Sequence, residues 1–195
     1  GKNKLALRHR QGFVKESEEY ALEFRKELNL SEHAPLNPFL LAEFLCVPVI
    51  ALSEHPTITR ERKIQFSTKW RDEFSAATLA HGTRREIVHN DSHHHYRQNS
   101  NIAHELAHII LGHPPKPPML TDGCRNFDKL LEREAHDLGF ALLVPRPAAL
   151  YAVEEISNTR QACEHFGVSE PLLTFRIRKT DARRWAQNRA RKRFG

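Results

Sequence analysis

Residues 104–108 read His-Glu-Leu-Ala-His, and that pentapeptide constrains the fold more than any other segment of the 195-residue chain. A spacing of i, i+4 sets both imidazoles on one face only if the backbone is helical, where they can grip a single Zn2+. Glu105 then lies about 100° round the helix, beside such a metal, where it can take a proton from water. The flanking sequence supports a helix over 98–111, with Gly112 as its stop. The proline-rich stretch 113–123 that follows can be neither helix nor central strand, so it is expected to be a loop.

Two histidines leave a metal under-coordinated, so a third protein ligand is needed. The HExxHxxGxxH pattern fails, because Gly112 and His113 fall at its ninth and tenth positions. A second helix expected over 126–144 offers Glu132, Glu134 and Asp137 instead. At 100° per residue, Phe127, Leu130, Leu131, Leu138 and Ala141 all fall within about 60° of Glu134. Glu134 thus sits within the apolar stripe, where an ionised carboxylate is costly unless paired or metal-bound. Glu132 is about 200° away, on the expected solvated face, and Asp137 is at the stripe's edge, placed to orient a ligand histidine. The expected centre is therefore Zn2+ on His104, His108 and Glu134, with Glu105 as catalytic base; Mn2+ or Fe2+ suits the same ligands. Such a metal polarises a scissile carbonyl and activates water. Tyr96, His113 and His136 are the candidates for stabilising the resulting oxyanion. The plainer alternatives are a chance HExxH, a structural zinc site, and a salt bridge from Glu134 to an arginine. A His2Glu set leaves a fourth position open, which a structural site does not.

Composition bounds the rest. The formal charge is +6, yet residues 171–195 alone carry +8 and the remainder −2, so basicity belongs to the C-terminal tail. Seven of the 13 histidines lie between His89 and His113. Three widely spaced cysteines without a CxxC pair argue against a disulfide framework. The absence of an apolar span or signal-like start leads to the expectation of a cytoplasmic protein. Amphipathic spacing of Val14, Ala21, Phe24 and Leu28 marks a first helix, and Pro38 opens a short second one. Residues 74–90 read as two strands about a turn at His81-Gly82. The fold class expected is α+β: a zincin-like core over 1–150 with a small sheet and the HExxH helix packed on a second, Glu-bearing helix. A helical appendage over 151–180 has a helix-turn-helix outline around Gly167 and Ser169, and 181–195 forms the basic tail.

These segments together resemble the ImmA/IrrE-type zinc peptidases of bacteria and their mobile elements. The resemblance runs through PLNPFLLAEFLCVPVIAL, FSAATL, IVHNDSHHHYRQNSNIAHELAHIILGH and EREAHDLGFALLVP. It implies a gluzincin-like endopeptidase in which His104 and His108 match the zinc histidines, Glu105 the catalytic glutamate and Glu134 the third ligand. The family usually has Asn where this chain has His136, two residues after that glutamate. A short form without a C-terminal sensor domain is implied. The implied substrate is a helix-turn-helix (XRE-type) transcriptional repressor, cut in stress response or mobile-element regulation. The alternative is a non-catalytic DNA- or repressor-binding module, such as a toxin–antitoxin partner, using Arg176, Arg178, Arg183 and Arg184 of the basic end.

Overall fold

The computed structural model describes residues 12–114, 125–156 and 158–194. The expected signal-free start (1–10) and most of the expected loop (115–123) lie outside these residues. Among the described residues the chain is α+β. Its elements run α1 (Phe13–Glu27), α2 (Pro38–Phe44), β1 (Val49–Ala51), α3 (Arg60–Ser67), β2 (Ala76–His81), β3 (Arg84–His89), α4 (His95–Ile110), α5 (Arg125–Leu143), α6 (Arg146–Glu154), α7 (Thr159–Phe166), α8 (Glu170–Lys179) and α9 (Ala182–Phe194).

The sheet has the order β1-β3-β2, with β1 parallel and β2 antiparallel to β3. β2 and β3 form the expected hairpin, and Gly82, at φ 63°, supplies the left-handed turn that a two-residue connection needs. Asn37 caps α2 by accepting from the Phe39 amide at 2.9 Å. Pro145 and Pro147, read as the end of the second helix, also begin α6, since proline is tolerated in a first helical turn.

α5 is the central element. α1, α4 and α8 all pack on it, and Ala135, Asp137, Leu138, Ala141, Leu142 and Leu143 are buried, so burial extends nearly all round its second half. One apolar cluster joins α1, α2, α4, α5 and β3 through Phe13, Leu41, Ile87, Ile102, Leu106 and Leu138. A second joins Ala103, Leu143 and Val144 to α6, α7, α8 and the start of α9, so the C-terminal helices share a core with the HExxH helix. In α1 the fully buried line is Phe13, Ser17, Ala21 and Arg25; of the expected stripe, Ala21 is buried, Phe24 and Leu28 pack against the core, and Val14 is exposed.

Two buried arginines tie these layers together. Arg25 donates to the carbonyls of Ala34 (3.1 Å), Ala21 (3.0 Å) and Leu143 (3.3 Å). Burial pulls its pKa down to about 10, against the opposing pull of Glu18. Arg176 of α8 donates to the Val144 carbonyl at 2.7 Å and pairs with Glu18, which also accepts from the Arg146 amide at 2.8 Å. Carbonyls at the end of α5, which lack helical partners, are thereby satisfied by side chains from both ends of the chain.

Candidate metal centre

α4 begins at His95, one turn earlier than expected, and His94 caps it by accepting from the Tyr96 amide at 3.3 Å. The helical backbone puts His104 and His108 one turn apart. Their Nε2 atoms lie 3.2 Å from each other. Glu132 of α5 completes the group, its Oε2 3.2 Å from His104 Nε2 and its Oε1 3.3 Å from His108 Nε2. These are the three residues among those described whose ligand atoms cluster closely enough to hold one ion. Two imidazoles and a carboxylate suit Zn2+, and bonds of about 2.0–2.1 Å give tetrahedral edges of about 3.3 Å, close to all three separations. The donor set therefore fits a divalent metal.

The structure thus brings Glu132 to the histidines where the sequence pointed to Glu134. The physical reason is that α5 has no single buried face. An apolar stripe averaged over a helix packed on several sides therefore does not single out the line that meets the two histidines. Gly139 shows where α4 crosses: a Cβ there would meet the backbone of Ala103 and His104 at 3.0–3.1 Å. Glu132 lies seven residues before Gly139, two turns back and within about 20° of the same line along the helix. That Glu-x6-Gly spacing was the available signal. At 38% side-chain exposure, Glu132 is also open enough to be hydrated before a metal binds.

Glu134 instead reaches His113, 3.3 Å from its Nε2, while His113 Nδ1 lies 2.9 Å from His108 Nδ1. His113 thus sits between His108 and Glu134, its two ring nitrogens each facing one of them. Burial, reinforced by the neighbouring His108, holds its imidazole pKa below the usual range despite Glu134. Glu105 is buried beside His104, and one of its oxygens accepts from Thr78 Oγ1 at 2.6 Å. Thr78 lies on β2, at one edge of the sheet. A threonine 27 residues away leaves no pattern in the sequence that would point to this contact.

The remaining candidates have other packing partners. Tyr96 is eight residues before His104 on the same helix, about 12 Å along its axis, and is too distant to stabilise an oxyanion there. His136 follows Glu132 by one turn of α5 and stays beside the centre: its ring packs on Phe140 and Phe175, at centroid distances of 3.9 and 5.6 Å, and desolvation, with a smaller contribution from nearby His104, lowers its pKa despite Asp137. Asp137 is buried and faces α8, where Lys179 donates to it at 3.1 Å. Arg176 is 1% exposed and committed to Glu18 and Val144, so it is removed from any nucleic-acid surface; Arg178, Arg183 and Arg184 are exposed.

Among curated proteins no significant match is found. Among solved structures, a Mycobacterium tuberculosis transcriptional regulator matches 87% of this chain and 47% of its own length, with a TM-score of 0.49 and 13% identity. The chain thus spans about half of that protein. No helix among the described residues is long and apolar enough to cross a membrane. The profile of the IrrE N-terminal-like domain matches residues 47–178, which hold β1 to α8 and every residue of the His-His-Glu centre; the chain belongs to that peptidase family.

Proposed function

We propose that the chain is a metal-dependent endopeptidase of the zincin type, with His104, His108 and Glu132 holding Zn2+. The observation that carries this reading is the convergence of those three side chains beside Glu105. Bound there, the metal would supply Lewis acidity toward a water molecule and a scissile carbonyl. Glu105 takes the water proton on one carboxylate oxygen and passes it to the leaving amine, while Thr78 holds the other oxygen and fixes the carboxylate's rotation. β2, at the sheet edge next to α4, offers backbone groups along which an extended substrate segment can lie. Mn2+ or Fe2+ would occupy the same ligands. Family membership supports a substrate among helix-turn-helix transcriptional repressors, which would place the reaction in the cytoplasm. The test is incubation with the repressor encoded alongside, comparing wild type, Glu105→Gln and a chelated sample. Cleavage by wild type alone is expected, with zinc retained in Glu105→Gln; equal cleavage by Glu105→Gln would refute the assignment.

A second reading makes the chain a DNA- or repressor-binding module. It is favoured by α9, which exposes Arg183, Arg184, Arg191, Lys192 and Arg193 and carries no acidic residue, next to the α7–Gly167–α8 turn. Duplex binding with a steep salt dependence, lost when α9's arginines are neutralised, is the result it requires.

A further inference from the structure

The end of α4 is built to return the chain onto its own last histidine. Gly112, at φ 65°, adopts the left-handed conformation that closes the helix, and its amide bonds the Ile109 carbonyl at 3.0 Å. The next residue's amide, that of His113, bonds the His108 carbonyl at 2.9 Å. This pair of bonds lays the His113 ring, 6% exposed, against the side of His108 opposite the metal ligands.

We propose that Glu134 and His113 form a positioning pair that fixes the ring orientation and tautomer of His108 for metal binding. This rests on the reading of His104, His108 and Glu132 as the metal site. The argument is one of donors and acceptors. An ionised Glu134 can only accept, so His113 donates from Nε2 across the 3.3 Å contact. His113 Nδ1 is then the acceptor of the 2.9 Å contact, and His108 Nδ1 must carry the proton. That leaves the His108 Nε2 lone pair directed at His104 Nε2 and Glu132, 3.2 and 3.3 Å away. A chain of carboxylate, imidazole and ligand imidazole is the arrangement that orients histidine ligands and raises their basicity, and its loss costs roughly 10–100-fold in metal affinity. Here it has one more link than a direct carboxylate–histidine pair, because His113 is interposed. The Gly112-His113 dipeptide, which fits no extended zinc motif, thereby acquires a role.

The test uses the whole chain stripped of metal. Apparent Zn2+ affinity is measured by competition with a chromophoric chelator, Co2+ absorption reports ligand geometry, and chelated-protein melting reports folding. His113→Ala and Glu134→Leu are each expected to weaken Zn2+ about 10–100-fold and alter the Co2+ spectrum. The double variant should be no weaker than the worse single one, because Glu134 acts only through His113. Glu134→Gln, whose amide oxygen still accepts, should recover part of the loss; it also preserves shape and carries the test if His113→Ala folds poorly. Unchanged affinity in Glu134→Leu and Glu134→Gln, or fully additive losses, would overturn the pairing while leaving the metal site standing. A wild-type chain that binds no Zn2+ would overturn both.

Discussion

Gly139→Ala sets two well-calibrated effects against each other. In a helix interior, replacing Gly by Ala gains about 1 kcal/mol from backbone entropy alone. At Gly139, however, the new methyl would lie 3.0 Å from the His104 Cα and 3.1 Å from the carbonyl carbon and oxygen of Ala103. Ordinary contact begins at 3.4 Å, and backbone atoms cannot rotate aside. α4 and α5 must therefore part by a few tenths of an ångström, an overpacking that costs about 1–3 kcal/mol. The net expectation is a loss of about 1 kcal/mol, a fall of roughly 2–4 °C in the midpoint of a protein this size. Denaturant unfolding of the metal-free protein should show an unchanged m-value. The same displacement shifts Glu132 relative to His104, so Zn2+ affinity should drop about tenfold, the low end for a misoriented ligand. A Gly139→Ala protein that is stabilised by about 1 kcal/mol, with unchanged Zn2+ affinity, would refute the claim that this crossing sets the metal site.

Thr78→Val keeps the shape but removes the donor to Glu105; with a charged acceptor at stake, kcat should fall about 10–100-fold while metal content and KM hold, as cleavage kinetics would show. Arg176→Met strands Glu18 and the Val144 carbonyl and should cost about 3–5 kcal/mol in urea unfolding, with the Glu18→Met/Arg176→Met double variant recovering part of it. His89 and His93 are buried, which lowers both imidazole pKa values from 6.5. The unfolded chain then takes up protons first, so their contribution is full above about pH 6.5 and is lost as pH falls through that range toward the folded-state values. Melting temperatures of the metal-free protein should decline from pH 7 to pH 5, and His89→Phe should reduce that slope.

What could be read from the chain was what is local in it. The HExxH helix, the β2–β3 turn at Gly82 and the Pro38 helix start each depend on residues within one or two turns of one another. The third ligand could not be read this way, because helical-wheel reasoning assumes one buried face and α5 has several. In α1 the expected Ala21, Phe24 and Leu28 reach the core, but an apolar pattern cannot show that Ser17 and Arg25 share the buried line: Ser17 folds its hydroxyl onto the Val14 carbonyl at 2.9 Å and Arg25 finds three carbonyls. The three consecutive histidines at 93–95 divide in a way no local pattern shows: His93 is buried with its Nε2 2.7 Å from the Arg71 carbonyl, while His94 and His95 are exposed at the start of α4. Contacts such as Thr78 to Glu105 join segments that the sequence keeps far apart, and only the folded chain places them.

The arginines that close the end of α5 have a consequence for where this protein can be cut. Arg25 comes from the first helix and Arg176 from the eighth, yet they serve adjacent carbonyls, those of Leu143 and Val144. A fragment ending near residue 150 would hold every metal ligand and still leave Val144 without its donor and Glu18 without its cation. It would also bare the cluster formed with Phe166, Val168, Leu172 and Leu173. The minimal folding unit is therefore longer than the minimal chemical unit. Any shortened version meant to keep the His-His-Glu centre should extend at least through Thr180, which closes α8 by donating to the Arg176 carbonyl at 2.8 Å.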